Sequence, residues 1–421
     1  MLAPARTYPA VARALHVDEV TTLAGFEALK PEWDKLLAAC ARPEIYQTHE
    51  WMSAWWACMG RGRSLLILTV RSGGELVGLA PLMRRTERMF GIPVRKVEFI
   101  TMMRHADAPT NCSASLDFLL LPARRDEALA AIVEHLGRCR WDCLRLHPIP
   151  AASGTAGLVE GAALARGWHA HVRHVFDNAV VPVVPGWEAY MKALSPRFAK
   201  SLRAQERRLA NKGEVKFVEF PRDTDVGRLY QEILDVEERS WKWNVGVSLN
   251  SVAFNDFYRV FAEKTLKNGW VRLWMMQVNG RNVAYDYIVD YHGQVASLKT
   301  SYDDAFRNCG PGNLLTWHEF QRFFEDGTRE ISLLWGDMSN KERWMTRLEP
   351  HVELTVWRDG FRGSLLDAAE QRTPFMHHRR TAIELKNRLA RKLGIRLHSS
   401  ELTRADQLAP AAARKSGARK K

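Results

Sequence analysis

The chain has 421 residues, 46% hydrophobic and 26% charged, with Lys+Arg 61 against Asp+Glu 48 and a formal net charge of +13. This length predicts two or three domains, the composition is that of a globular chain rather than a disordered one, and the charge suits anionic partners: nucleotide phosphates, nucleic acid or a membrane surface. Part of the basic excess sits in the terminal AARKSGARKK, which reads as a flexible tail.

The six cysteines (40, 58, 112, 139, 143 and 309) form no C-x-x-C pair and no zinc spacing. They read as reduced and buried, which predicts a cytoplasmic protein. The first twenty residues lack a long apolar run, and no apolar stretch reaches the roughly 18 residues of a membrane span, so neither secretion nor a transmembrane segment is expected.

In chain order, GFEALKPEWDKLLAAC reads as helical, and Thr48 can N-cap the Trp-rich helix of THEWMSAWWACMG. SLLILTVRSG and ELVGLAPLMRRTE are strands joined at Gly73-Gly74. VRKVEFIT and SLDFLLLP follow as strands, RDEALAAIVEHLGRC as a helix, WDCLRLHPI as a strand, GLVEGAALARG as a helix and HAHVRHVFDNAVVPV as a strand. Pro182 and Pro185 then break the pattern. SPRFAKSLRAQERRLANKG is a helix with Lys200, Arg203 and Arg207 on one side and Phe198, Leu202 and Leu209 on another. That stripe is either a solvated face or a docking face for an anionic donor or acceptor (residues 196–212). Two helices come next (VGRLYQEILDVEERSW and VAFNDFYRVFAEKTLKNG). A hairpin turning at Asn279-Gly280 follows, then the strand QVASLKTSY. The helix NLLTWHEFQRFFEDG, the strand REISLLWGD, a short helix around KERWMTRL and the strand HVELTVWRD complete the second half.

Both halves run helix, helix, hairpin, further strands, helix, strand, helix, strand. This is an internal pseudo-repeat carried by element order rather than by residue identity. The predicted domains are residues 1–183, 184–361, and a tail from 362 to 421 that is helical at first and then disordered. Gly310-Pro311-Gly312 lies between the end of a strand and the mouth of a helix. There the first N–H groups lack internal partners, glycine allows close approach of an anion, and proline fits the first helical turn. The same residues also suit an ordinary tight turn.

The order of elements resembles the GNAT acyltransferase fold. Tyr302-Asp303, Pro311-Gly312, Gly336-Asp337, Lys341 and Trp344 resemble the cellulose-biosynthesis (CelD-type) acetyltransferase family, a relative of the Fem aminoacyltransferases with two fused GNAT-like halves. PEIYQTHEWMSAWW and LVGLAPL are similar to that family's opening. GPGN stands where GNAT proteins commonly carry Q/R-x-x-G-x-G/A. The resemblance covers about residues 25–350 and implies an α/β (α+β) fold of two GNAT-like domains. Each domain is then a mixed, mainly antiparallel sheet flanked by helices.

On this likeness the activity expected is transfer of an acyl group from acetyl-CoA or another acyl-CoA to an amine, by direct attack. The acceptor is a small molecule or a saccharide, such as an amino sugar or a surface-polysaccharide precursor. The first half shapes the acceptor groove and the second holds the donor at Gly310, Pro311, Gly312, Asn313, Lys341 and Arg203. Asp337 is a candidate general base or a helix cap. Tyr302 either protonates the leaving thiolate or is a rim aromatic. Asp303 ends the same strand, and Asp286 is a buried carboxylate with a functional role or an Arg partner. Lys341 holds a phosphate or pairs with a carboxylate. Trp241, Lys242 and Trp344 are candidates for contact with the acceptor.

His169 and His171 share a strand face, but no third ligand has a convincing spacing, so no metal is expected. Two alternatives stand beside this reading. A Fem-type aminoacyl-tRNA-dependent transferase is favoured by the charge and disfavoured by the lack of a long helical-hairpin insertion. A catalytically silent double-GNAT scaffold is the other.

Overall fold

Alternating apolar residues place thirteen strands in one continuous sheet. The computed structural model describes residues 14–102, 112–184, 186–240, 242–243, 252–336 and 338–372. The strands are β1 (Leu15–Val20), β2 (Ser64–Ser72), β3 (Glu75–Met89), β4 (Ile92–Phe99), β5 (Leu119–Leu120), β6 (Cys143–Pro150), β7 (His169–Pro182), β8 (Val215–Glu219), β9 (Val271–Val278), β10 (Arg281–Tyr291), β11 (Gln294–Tyr302), β12 (Glu330–Leu334) and β13 (Arg347–Trp357). The helices are α1 (Leu23–Ala28), α2 (Lys30–Ala39), α3 (His49–Met59), α4 (Arg125–Arg138), α5 (Thr155–Leu164), α6 (Trp187–Ala193), α7 (Pro196–Ala210), α8 (Val226–Glu237), α9 (Val252–Thr265), α10 (Pro311–Glu325), α11 (Met338–Lys341) and α12 (Phe361–Arg372).

The sheet order is β1-β2-β3-β4-β6-β13-β7-β12-β11-β10-β9-β8, with β5 on β3. Two parallel contacts, β4 with β6 and β11 with β12, interrupt an otherwise antiparallel arrangement. They occupy matching places in the two halves. The halves also exchange their last strands: β13 pairs with β6 of the first half, β7 pairs with β12 of the second, and β7 and β13 pair with each other. The fold is therefore a mixed α/β sheet in which the two halves exchange a strand, flanked by helices.

Local chemistry sets the elements. The Thr48 hydroxyl caps α3 by accepting from Trp51 N at 3.2 Å. Asn279 (φ 50°) and Gly280 (φ 75°) both take left-handed conformations, which the tight two-residue turn between β9 and β10 requires. Across the halves, the fully buried Trp51 of α3 meets Phe257 and Phe261 of α9 edge-on, each at 4.8 Å between ring centroids.

Two elements are shorter than expected. SLDFLLLP contributes only Leu119–Leu120 to the sheet, and the short helix before β13 ends at Lys341 instead of covering KERWMTRL. The tail beyond residue 372 and Pro185 lie outside the described residues. Among the described residues no helix is long and apolar enough to cross a membrane.

Candidate active site

β11 and β12 pair at three rungs only: Gln294 with Glu330, Val295 with Ile331 and Ala296 with Ser332. Beyond them β11 stays with β10 as far as Tyr302. β12 follows β7 through an irregular step to Leu334, whose φ is 61°. The strands thus part, and among the described residues the outer edge of residues 297–302 has no strand neighbour.

The chain leaves β11 through a short 3-10 helix, Asp304–Cys309, capped by Asp303, which accepts from Ala305 N at 3.0 Å. Gly310 follows in a left-handed conformation (φ 67°), and a Cβ there would lie 2.3 Å from Gln205 Oε1. Pro311 then opens α10 at a position where no N–H is needed. A Cβ on Gly312 would meet only Tyr302 Cδ1, at 4.0 Å. Helix α7 lies against this turn. Asn313 Nδ2 donates to Gln205 Oε1 at 3.3 Å, and Arg208 Nε donates to the Asn308 carbonyl at 3.0 Å. As the periodicity predicts, Phe198, Leu202 and Leu209 are buried while Lys200, Arg203 and Arg207 are exposed. A helix N-terminus and a basic helix therefore converge beside the parted strands, an arrangement that attracts anions.

The sequence-derived candidates divide. Asp337 and Trp241 lie outside the described residues. Tyr302 is half-buried beside Gly312. Asp303 is buried and bound by Arg239 Nε at 2.8 Å and Arg281 Nη2 at 2.9 Å, besides its cap. Asp303 thus sits in an ion cluster that ties β11 to Arg239 and Arg281. Trp344 is 3% exposed and packs against Phe198 and Phe320, while its carbonyl accepts from Tyr190 Oη at 2.6 Å. It belongs to the core and not to a saccharide platform. The Lys341 ammonium donates to the Trp335 carbonyl, just after β12. The Lys242 ammonium donates to the Thr300 carbonyl on β11, at the parted edge.

Asp286 is buried as expected, but an Arg is not its neighbour. Ser297 Oγ lies 2.8 and 2.7 Å from its two carboxylate oxygens. Its other partner is the carboxyl of Glu319 on α10, which the sequence reading missed. Burial pushes Asp286 up to about 7 against the pull of Ser297, and burial together with Asp286 raises Glu319 well above the usual range. A sequence signal existed: Leu315, Glu319 and Phe323 repeat at four-residue spacing on the buried side of α10.

Lys299 was also missed. It stands on β11 with its Nζ 5.5 Å from the Tyr258 ring centroid, and burial draws its ammonium down to about 8, with Lys242 adding to the effect. His169 and His171 meet Ser364 and Asp367 of α12, each at 3.0 Å. Among the described residues, Glu19, His135 and Cys139 come within ligand reach of one another, but Arg84 already pairs with Glu19 at 3.1 Å.

Residues 196–370 match the family model of the acetyltransferase (GNAT) domain. No curated protein sequence matches the chain. Among solved structures, FemX superposes with a TM-score of 0.54 at 11% identity, covering 77% of this chain and 95% of its own. L-PGS from Bacillus licheniformis superposes with a TM-score of 0.50 at 12% identity, covering 80% of this chain and 94% of its own. At these identities the likeness is one of fold. The second half is a GNAT acetyltransferase domain, the domain of an acyl-transferring enzyme.

Proposed function

We propose that this GNAT enzyme is an acyl-CoA-dependent N-acyltransferase of the cellulose-biosynthesis branch, with an amino sugar or a surface-polysaccharide precursor as acceptor. The single observation that carries the reading is the parting of β11 from β12 beside the open N-terminus of α10. In this reading residues 184–361 hold the donor, residues 1–183 shape the acceptor groove, and the chain from 362 onward is an appendage.

The pyrophosphate of CoA rests at Gly310, Pro311, Gly312 and Asn313, in the positive field of the helix end and of Arg203 and its neighbours. The thioester lies along the unpaired edge of β11, whose N–H groups polarise its carbonyl. The acceptor nitrogen attacks that carbon, the C–N bond forms, and the C–S bond breaks. The thiolate leaves with a proton, which Tyr302 is placed to supply from beside Gly312. Asp337, four residues before Lys341 and directly after Gly336, takes the proton lost by the ammonium. Most of the acceleration comes from positioning.

A second reading, a Fem-type transferase using aminoacyl-tRNA, is supported by the exposed Lys200, Arg203 and Arg207 on a helix that packs against the turn. Calorimetry with CoA and with tRNA separates the two. CoA should bind, and Gly312→Val should abolish that binding without lowering the melting temperature, because the new side chain meets only Tyr302 within the protein. Unchanged affinity in that variant, or tight binding of tRNA with none of CoA, removes the first reading.

A further inference from the structure

A pocket of about 490 Å³, counting its open mouth, lies between the two halves. Its floor includes Ala296 and Ser332, the last paired rung before β11 and β12 part. The first half supplies walls from the segment before α3, from Ser115 and from Asn178 on β7. Its charged groups are mostly satisfied. Arg42 reaches Glu44 at 3.1 Å, Glu330 at 2.8 Å and Glu349 at 3.0 Å, and Arg347 joins the last two from the rim. Three carboxyls thus face two guanidinium groups. Burial pushes the Glu44 carboxyl up to about 7 while Arg42 pulls it back.

Two neutral groups in the same wall are not satisfied. Among the described residues, the Tyr46 hydroxyl and the Asn178 amide oxygen are buried without a hydrogen-bond partner, in residues 4% and 5% exposed. Leaving such atoms unpaired forfeits their hydration with nothing in return, so native proteins rarely do so without a compensating role. Here both residues line a cavity that reaches the last paired rung of β11 and β12. A ligand donating hydrogen bonds to the Asn178 oxygen, exchanging one with the Tyr46 hydroxyl and carrying one positive charge would satisfy the whole wall.

We infer that this pocket seats the amine-bearing end of the acceptor, recognised as a primary ammonium flanked by hydroxyl groups through Tyr46, Asn178 and the Glu44–Glu330–Glu349 carboxyls. The inference rests on the acyl-transfer reading for its functional meaning, but binding at the pocket is measurable without any donor. The ammonium offers three donors, one for the Asn178 oxygen and others for the carboxyl excess. A neighbouring hydroxyl completes the Tyr46 contact. The bound amine lies beside the rung where the strands open, the side from which an acceptor nitrogen would approach a thioester.

The test is calorimetry on the full chain with D-glucosamine and, in parallel, D-glucose. Glucosamine should bind at least about tenfold more tightly than glucose, since a site built to pair a charged donor rejects the analogue without it. Tyr46→Phe and Asn178→Ala should each weaken glucosamine by about five- to tenfold while leaving CoA affinity and melting temperature unchanged. Equal affinities for the two sugars, no glucosamine binding at all, or parental binding in Tyr46→Phe, which removes one oxygen and cannot collapse the fold, would overturn the inference. A chain that binds glucosamine through these residues but not CoA keeps the pocket and loses the donor reading. A chain that binds CoA but not glucosamine does the reverse.

Discussion

The two parallel strand pairs share a backbone plan and differ in what surrounds them. In the first half, β4 and β6 pair at Lys96–Cys143, Val97–Leu144 and Glu98–Arg145. The side chains there close on one another. Lys96 binds Glu87, Arg85 Nε lies 2.7 Å from Glu98, and Arg145 binds Glu370 of α12 and lies 3.8 Å from Glu353. Helix α12 covers them, with Leu366 packed on Val94, Cys143 and Trp357. In the second half, the rungs of β11 and β12 border a pocket with unpaired polar atoms, and the following helix begins at an open glycine turn. One pair is closed over by ion pairs and by helix α12; the other borders a pocket and an open glycine turn. The same topology therefore yields a structural joint in one half and a candidate site in the other.

The largest effect that would break this contrast is on the sealed side. Arg145 is 4% exposed, and its removal strands the carboxylates of Glu353 and Glu370. Arg145→Ala should cost about 3–5 kcal/mol of stability, read in a denaturant titration, with CoA affinity preserved in the folded fraction. A loss of CoA binding without a loss of stability would move the donor site to the first half.

Next in size is Asp337→Asn. It keeps the shape and a capping oxygen but cannot accept a proton, so turnover should fall by about a hundredfold with donor binding and melting temperature retained. Normal turnover would leave Asp337 as a cap. Lys299 on the parted strand, drawn down to about 8 by burial, would then be the next proton acceptor to test. Smaller still is the triple replacement of Lys200, Arg203 and Arg207 by Ala. Three exposed charges should be worth about tenfold in CoA affinity at low salt and little at high salt. Equal salt dependence in variant and parent would make α7 a solvated face.

Much of this contrast was legible before any coordinates. The Asn279-Gly280 turn, the Thr48 cap and the buried stripe of α7 follow from local pattern, because each is decided within a few residues; the edge strands β1 and β8 were not read from the sequence. The exchange of β7 and β13 was not, since it joins segments about 180 residues apart and both pairings bury similar apolar faces. A candidate anion turn was readable where its motif is continuous in sequence, as at Gly310–Asn313. A partner was missed where a second element supplies it, as with Glu319 opposite Asp286. Trp344 shows the converse: a conspicuous aromatic near a motif turned out to be core, because Phe198 and Phe320 arrive from distant helices to cover it.

The smallest predicted effect is a slope with pH, and it tests whether the second half also stores an internally satisfied charge. Asp286 and Glu319 are neighbours between β10 and α10, with burial holding Asp286 up to about 7 and Glu319 well above the usual range. In the unfolded chain both carboxyls ionise near their ordinary values, about 4. From there to about 7 the folded chain holds more protons than the unfolded one, so stability falls as pH rises. The contribution is fully present below the unfolded value and lost as pH climbs through the folded one. The melting temperature should therefore drop by a few degrees between pH 6 and pH 8, an amount set by the length of the chain. Asp286→Asn retains an oxygen to accept from Ser297 and carries no proton to lose, so its curve should be flatter over that interval and lie above the parent's at pH 8. A parallel fall in both proteins would place the titrating group elsewhere. A steeper fall in the variant would mean that Asp286 is ionised in the folded state and that Glu319 alone carries the proton.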